Sequence, residues 1–280
     1  MDVSASWMEA DMYPDYHVHT AFSGDSDTPP QGQILRAIEL GMPAICITDH
    51  QDFDFPEEEY GISFEFDTDS YIKEMTALRD RFKDRIEMGI GVELGLQDHL
   101  KDRLDSYVRA WDFDYVIGSI HLVRHKDPYY PEYFEGRSAV DAFREYFETV
   151  LNNINIHDCY DALGHLDYIV RYTPDKRNLD YPCPGLDDII DEILKVLVSK
   201  GKALEVNTAG LRSGLGFPNP HSKVIRRYLE LGGEYLILGS DAHQSMHLAY
   251  AFAGIHDFLE CCGVRYLTRY EDRKPIVTPL

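Results

Sequence analysis

Histidine and carboxylate side chains recur in this sequence at the ends of short apolar runs. His17 and His19 frame the end of the first run, and Asp241 and His243 follow the last one. In an extended strand, residues i and i+2 point to the same side. Each pair therefore places two metal-binding side chains next to each other, and together they predict a metal site.

Four more donors follow runs between these two, one at a time: His50, Glu93, His121 and His165. Imidazole with carboxylate suits Zn, Mn or Fe, whereas Ca and Mg prefer oxygen ligands alone. One histidine at a strand end is usually a hydrogen-bonded core residue. Six histidines with several acids in the same topological position predict a transition-metal centre. The other histidines are expected in ordinary surface or core positions: His99, His125, His157, His221, His247 and His256.

The elements that must hold these donors alternate along the chain. Short apolar runs predict strands, and longer amphipathic stretches predict helices. The predicted strands are 16–18, 44–48, 86–93, 115–121, 162–165, 203–206 and 235–239. The predicted helices lie near 30–40, 69–84, 99–110, 138–156, 186–200, 221–232 and 248–261. Seven such units without a glycine-rich phosphate loop predict an α/β fold, a (β/α)7 TIM-like barrel whose strand ends meet at one mouth.

The composition is that of a globular protein, because 44% of the residues are hydrophobic. The length fits one large domain as well as two, and the single predicted barrel favours one domain, residues 1–280. The formal net charge of −22 opposes binding to nucleic acid or to anionic membranes. Five cysteines without CxxC spacing predict reduced thiols. The sequence has no export signal and no apolar run long enough to span a membrane, so we expect a cytoplasmic protein. The oligomeric state stays open, with a homo-oligomer as one option.

Motifs for covalent catalysis are missing from the sequence. It has no GxSxG and no CxxxxxR loop, and none of its DxD triplets directly follows a predicted strand, as the opening of an aspartyl-phosphate motif would. Amidohydrolases that also use HxH pairs need a bridging lysine, and no candidate lies at a predicted strand end among Lys73, Lys83, Lys101 and Lys126. Two divalent ions at such a centre lower the pKa of a shared water, so a metal-bridged hydroxide is available as the nucleophile near neutral pH.

Seven segments of the chain, in order, resemble the motifs of the PHP (polymerase and histidinol phosphatase) superfamily. They are YHVHTAFSGDS, ITDH, GVELG, GSIH, GHLDYIVRY, LEVNT and GSDAH. The similarity runs from about residue 15 to residue 245, and GHLDYIVRY and LEVNT are most similar to the histidinol-phosphatase family. The resemblance implies a distorted (β/α)7 barrel, the PHP fold, with up to three metals at its mouth.

Carried over by position, the resemblance implies three groups of metal ligands. The first metal would be held by His17, His19, Glu93 and Asp241. Glu93 would bridge to a second metal that is also held by His121 and His165. The third would be held by Asp25, His50 and His243. Some family members have a histidine in place of Asp25, and Asp27 is an alternative ligand.

Arginines are needed to bind the phosphoryl oxygens, since a guanidinium is forked and permanently charged. The resemblance implies phosphate contacts from Arg171 and Arg212. Glu205 and Asn207 are expected beside the metals or the substrate, or lining the core. The leaving alkoxide needs a proton donor or a metal. The residues expected to act in catalysis are therefore Glu93, Asp241, His243 and Arg171.

The substrate implied by the resemblance is L-histidinol phosphate, hydrolysed as in histidine biosynthesis. Another phosphate ester, such as a nucleotide or phosphotyrosine, is the alternative, and a scaffold without activity is a third reading. The amine and imidazole of histidinol would suit the acidic and aromatic loops 51–55 and 129–134. Substrate contacts are expected on loops 52–69, 127–137 and 172–185.

Overall fold

The computed structural model describes residues 12–174, 176, 181–182 and 185–280. Its main sheet is built from eight strands: β1 (Asp15–Val18), β2 (Ala44–Ile47), β3 (His50–Gln51), β4 (Glu87–Gly95), β5 (Tyr115–Ser119), β6 (Ala162–Leu163), β7 (Ala203–Asn207) and β8 (Leu236–Gly239). The strand order is β1-β2-β4-β5-β6-β7-β8, and the short β3 extends the line of β2 beside β4. All of these pairings are parallel.

Backbone hydrogen bonds between the first and last strands of this order close the sheet. The Asp241 N–H donates to the His17 carbonyl at 2.8 Å, and the His19 N–H donates to the Ala242 carbonyl at 3.0 Å. The seven-stranded path therefore forms a nearly closed barrel with its carboxyl ends at one mouth. This confirms the predicted α/β barrel.

Helices surround the barrel: α1 (Pro30–Glu39), α2 (Glu57–Tyr60), α3 (Thr68–Phe82), α4 (Lys101–Ala110), α5 (Ala139–Ile156), α6 (Asp187–Lys200), α7 (Ala209–Arg212), α8 (Ser222–Glu230) and α9 (Phe252–Cys262). Local sequence sets several ends. The side chains of Asp67 and Ser138 cap the first turns of α3 and α5, which satisfies backbone N–H groups that lack helical partners. Gly201, with φ 62°, ends α6, because glycine adopts the left-handed conformation at little cost in free energy. No described helix is long and apolar enough to cross a membrane.

Apolar side chains form two layers. The larger lies between the strands and the helices, and the smaller fills the barrel interior with Tyr16, Cys46, Tyr115 and Ile117 among its members. Each short strand is buried on both faces, which explains why the strands read as continuous apolar runs in the sequence.

A C-terminal hairpin, β9 (Tyr266–Glu271) and β10 (Lys274–Pro279), was not predicted from the sequence. Its Tyr270 enters the interior core and stacks on Tyr115 with ring centroids 5.2 Å apart. Its turn residue Arg273 contacts the Asp161 carboxylate, next to the start of β6, and donates to the Cys159 carbonyl at 2.8 Å. The hairpin thus covers the amino-terminal end of the barrel and leaves the opposite mouth open.

The predicted helix 248–261 begins later than expected, at Phe252. Ala249 and Ala251 have φ values of 53° and 61°, a left-handed conformation that interrupts a helix. Part of the predicted loop 172–185 and the predicted free thiol of Cys183 lie outside the described residues.

Candidate metal centre

Glu93 is the hub of a buried cluster at the mouth of the barrel. Its Oε1 lies 2.9 Å from His165 Nε2 and 3.3 Å from His121 Nε2. Its Oε2 lies 3.0 Å from His17 Nε2 and 3.1 Å from His50 Nδ1. The two oxygens of one carboxylate therefore face two different sets of imidazoles, which is the arrangement that a bridging ligand requires.

Asp241 is the second carboxylate of the cluster, just beyond β8. Its Oδ1 lies 3.5 Å from His19 Nε2, 3.5 Å from His243 Nδ1 and 3.9 Å from His17 Nε2. The residue has φ 56°, a conformation that costs a residue with a side chain free energy and often marks a functional position. The His17/His19 and Asp241/His243 pairs thus meet across the seam between β1 and β8.

Asp25 lies at the outer edge of the cluster. Its Oδ2 is 3.0 Å from His243 Nε2 and 3.9 Å from His50 Nε2. Asp27 is exposed, and none of the described contacts joins it to these histidines. The structure therefore places Asp25, and not Asp27, beside the expected third group.

The donor atoms fit divalent metal ions. Within the described part of the chain, His19 Nε2, His50 Nδ1 and His243 Nε2 are buried and form no hydrogen bond of normal geometry, although carboxylate oxygens lie 3.0 to 3.5 Å away; buried polar atoms are normally satisfied. Four groups bring three ligand atoms within 4.8 Å of one another: His19, His50 and His243; His17, Glu93 and His165; His17, His19 and Asp241; and His50, Glu93 and His121. Mixed imidazole and carboxylate groups of this kind suit Zn, Mn or Fe.

Electrostatics favours carboxylates in their charged form here. Burial would raise the pKa of Glu93, but His17, His50 and His121 outweigh burial and hold that pKa well below the usual value. Burial would likewise raise the pKa of Asp241, and Arg171 with His17 reverses the effect. Burial, with His243 and His50 nearby, lowers the pKa of His19. Burial would also lower the pKa of His17 and of His121, but nearby carboxylates outweigh burial and raise both. Metal ligands are ionised carboxylates and neutral imidazoles, so these two imidazoles must release a proton when a metal binds.

Hydrogen bonds from outside the cluster orient its imidazoles. His17 Nδ1 lies 2.6 Å from Glu205 Oε1, and His121 Nδ1 lies 2.6 Å from Asp52 Oδ2. A partner on one ring nitrogen fixes the tautomer and turns the other nitrogen toward the site. Asp52 was missed in the sequence, although its position two residues after His50 could have suggested that both side chains face the same mouth.

Arg171 is buried among polar partners beside the cluster. Its Nη1 donates to Asp241 Oδ2 at 2.7 Å, its Nη2 to Asn207 Oδ1 at 2.9 Å, and its Nε to Asn219 Oδ1 at 2.7 Å. Arg212 donates to the carbonyls of Ser240 and Asp241, both at 3.0 Å. Both guanidinium groups line the same cavity as the metal-binding side chains.

Asn219 was also missed in the sequence. Its Nδ2 donates to Asp167 Oδ1 at 2.6 Å, which leaves Oδ1 facing Arg171 Nε. Asn219 is fully buried, and its backbone pairs with that of Asn207 in β7. Asp167 and Asn219 therefore fix the orientation of the guanidinium plane. Nothing in the residue type alone signals this role, because the contacts span 48 to 52 residues of sequence.

A cavity of about 400 Å³ opens above the cluster. Arg171, Arg212 and the metal-binding groups line this cavity together with aromatic side chains and two further acids: Asp52, Phe55, Phe64, Asp127, Tyr129, Tyr130, Tyr168 and Tyr172. A concave pocket that combines aromatic rings with converging polar groups is the usual form of a small-molecule site. The six histidines expected elsewhere contribute to none of the four described donor groups.

Comparisons with known proteins agree with this site. A family model described as the PHP domain matches residues 15–209. The histidinol-phosphatase of Lactococcus lactis is 32% identical over 90% of this chain and 95% of its own length. A Clostridium acetobutylicum protein described as a probable histidinol-phosphatase is 33% identical over 90% of this chain and 94% of its own. The crystal structure of the L. lactis enzyme, complexed with zinc, L-histidinol and phosphate, is similar with a TM-score of 0.83 and 30% identity, covering 95% of this chain and 99% of that one.

The matched segment runs from β1 to the start of α7 and contains most of the donor cluster described above. The relatives extend the similarity to about nine-tenths of the chain. The barrel, the donors at its mouth and these matches together show that the chain belongs to the PHP domain family.

Proposed function

We propose that this protein hydrolyses L-histidinol phosphate to L-histidinol and phosphate. One observation carries the proposal: donors that fit divalent metals and two cavity-lining arginines open into the same cavity. The relative from L. lactis is named for this activity, and its crystal structure contains bound zinc, L-histidinol and phosphate. That relative covers nearly the whole chain, so the likeness is not confined to the barrel scaffold.

Different residues of the chain bind the phosphate, hold the metals and assist the leaving group. Arg171 and Arg212 bind the phosphoryl oxygens, since forked guanidinium groups match two oxygens at once. Metal ions held by the cluster would neutralise phosphate charge and make water acidic enough to attack near neutral pH. Glu93 would bridge two neighbouring metals. The departing alcohol would take its proton from His243 or be stabilised by a metal, because the pKa of Asp241 lies well below its usual value and keeps that carboxylate ionised.

We propose two to three divalent transition metals, Zn, Mn or Fe, at the centre. Asp25, His50 and His243 form the third group, which is the most exposed. Elemental analysis tests this number: Asp25→Ala should lose about one metal per chain, while the neighbouring Asp27→Ala should retain all of them. Loss of metal from Asp27→Ala and not from Asp25→Ala would contradict the assignment.

A substrate panel tests the activity itself. The metal-loaded protein is given histidinol phosphate, a nucleoside monophosphate and phosphotyrosine side by side, with an exhaustively chelated sample as the control. We expect histidinol phosphate to have the highest kcat/KM and chelation to abolish turnover. A hundredfold preference for either of the other esters would overturn the proposed substrate, and full activity after chelation would overturn the proposed mechanism.

We further propose that residues 1–280 act as one domain in the cytoplasm, with a small phosphate ester as partner. The core around the barrel is continuous through the described residues, and the net charge of −22 disfavours polyanionic partners. A homo-oligomer is compatible with these features, and light scattering would measure its size.

A further inference from the structure

A buried network of hydrogen bonds adjoins the metal-binding histidines, in the loop that follows β1. Its centre is Ser23, which is only 2% exposed. Ser23 Oγ lies 2.6 Å from Asp49 Oδ1, 3.1 Å from His19 Nδ1 and 3.0 Å from the His50 backbone nitrogen. His19 and His50 belong to the described donor groups, whereas Asp49 belongs to none of them. One hydroxyl therefore connects two metal-binding residues to a carboxylate outside the cluster.

Asp49 acts as a hydrogen-bond acceptor at both of its carboxylate oxygens. The residue is fully buried. Its Oδ1 accepts the Thr20 N–H at 2.6 Å, and its Oδ2 accepts the Thr20 O–H at 2.7 Å. Oδ1 is also the acceptor in its contact with Ser23, so the serine O–H donates to it. The carboxylate thereby fixes the direction in which the Ser23 hydroxyl points.

The number of hydrogen atoms available fixes the direction of the contact between Ser23 and His19. A serine hydroxyl offers one proton and two lone pairs. The proton is donated to Asp49, and one lone pair accepts the His50 N–H. The second lone pair can then only accept a proton from His19 Nδ1. A neutral imidazole carries one proton, and when this proton is on Nδ1 the Nε2 atom has the free lone pair.

The nitrogen of His19 with the free lone pair is the one that faces the cluster. Nε2 lies 3.4 Å from Glu93 Oε2 and 3.5 Å from Asp241 Oδ1, the two carboxylates expected around the first metal. A histidine binds a metal through an unprotonated nitrogen, and a hydrogen bond on the other nitrogen fixes this state. In the opposite tautomer, an N–H group would point at the metal position, and His19 could not act as a ligand there.

The loop after β1 holds Ser23 through contacts within the chain. Residues 20 to 23 form a turn in which the Ser23 N–H donates to the Thr20 carbonyl at 2.9 Å. The hydroxyls of both residues donate to the Asp49 carboxylate. The Asp49 carbonyl in turn accepts the Glu93 N–H at 3.0 Å, which ties this network to the backbone of the central carboxylate. A site whose ligands are oriented in advance loses less entropy on binding.

We propose that Ser23, held by Asp49, is a positioning residue that fixes the tautomer of His19 and thereby sets the affinity of the metal centre. Ser23 acts through His19 and contributes no ligand atom of its own. The inference deepens the proposed function, because it rests on the use of this cluster as a metal centre. It assigns roles to two side chains outside the expected ligand set.

A competitive titration of metal-free protein with zinc, in the presence of a chelating indicator, tests the effect on affinity. Ser23→Ala removes the acceptor of His19 Nδ1 and should weaken binding at one or more zinc sites by about 10- to 100-fold, as for other partners of metal-binding histidines. Thr20→Val is the matched control, because the Thr20 hydroxyl binds the same carboxylate and none of its described contacts is to an imidazole. Its zinc affinity should change by less than about threefold. The inference falls if Ser23→Ala binds zinc as tightly as the unaltered protein, or if Thr20→Val loses as much.

Nuclear magnetic resonance tests the tautomer directly. Long-range correlations between ring protons and nitrogen-15 nuclei show which ring nitrogen of a histidine carries a proton. In the zinc-loaded protein, His19 should be protonated at Nδ1, and this proton should exchange slowly with solvent because it is buried and hydrogen-bonded. In Ser23→Ala the same proton should exchange faster. A proton on His19 Nε2 would overturn the inference even if Ser23→Ala failed to fold, and so would equal exchange in both proteins.

Failure of the proposed function has a different signature, because neither measurement depends on turnover. A protein that binds zinc and shows the expected tautomer but does not hydrolyse histidinol phosphate retains the role of Ser23 and loses the proposed substrate. A protein that hydrolyses histidinol phosphate with His19 in the opposite tautomer retains the proposed function and loses the role of Ser23.

Discussion

The contact between Asp52 and His121 allows a quantitative prediction for metal affinity. Asp52 Oδ2 lies 2.6 Å from His121 Nδ1, and both side chains are buried. Replacing Asp52 with Asn retains the shape but removes the charge that holds the imidazole. A hydrogen bond to a charged group contributes about 1.5 to 3 kcal/mol, and each 1.4 kcal/mol is tenfold in affinity. The metal held by His121 should therefore bind about 10- to 100-fold more weakly, as for other partners of metal-binding histidines.

The assay is a competitive titration of metal-free protein with zinc in the presence of a chelating indicator. Asp54→Asn is the matched control, because Asp54 is exposed and contacts Arg103 instead of the cluster. Gly95→Ala should reproduce the loss, since a Cβ at residue 95 would lie 2.7 Å from the Asp52 Cγ and displace it. Unchanged affinity at every site in Asp52→Asn, or an equal loss in Asp54→Asn, would refute the reasoning.

Three further predictions concern other parts of the molecule. Asn219→Ala removes the acceptor of Arg171 Nε and should raise KM for phosphate esters about tenfold with metal content unchanged; a loss of metal in elemental analysis would contradict this. Tyr270→Ala leaves a void in the barrel interior and should destabilise the fold by about 3 to 5 kcal/mol without lowering kcat, as measured by thermal denaturation and assays well below the midpoint. Burial raises the pKa of Asp127 from 3.8 to about 6, so the folded protein retains a proton that the unfolded chain releases, and stability falls as the pH rises through this interval. Asp127→Asn should therefore be more stable than the unaltered protein at pH 7, by at most about 3 kcal/mol, and should lose this advantage near pH 4 in chemical denaturation; a constant difference at both pH values would argue against the cause given.

Much of the barrel could be predicted from the sequence because each buried strand is a short apolar run with a donor at its carboxyl end. The pairs His17/His19 and Asp241/His243 were informative because the two-residue period of a strand fixes which side chains share a face. Each of these patterns is local in sequence. Once the strands form a barrel, their carboxyl ends meet at one mouth, so the donors come together without any long-range signal in the sequence.

Other parts depend on contacts that no local pattern reveals. Asn219 meets Arg171 and Asp167 only because β7 and the loop after α7 pack beside the mouth. The hairpin that carries Tyr270 is stabilised by residues more than 100 positions earlier, such as Asp161 and Tyr115. The start of α9 was placed too early because Ala249 and Ala251 adopt a left-handed conformation that the high helix propensity of alanine does not indicate.

The seam between β1 and β8 has a consequence for biosynthesis. Donors near residue 17 and donors near residue 241 face each other across it, so the ribosome must synthesise the chain beyond β8 before both sets of donors can meet. Nascent or truncated chains that end before β8 lack Asp241 and His243 and cannot complete the ion-binding pocket. Binding of the metals that need Asp241 or His243 is therefore a late event, because it must wait for the synthesis of β8 and the residues after it.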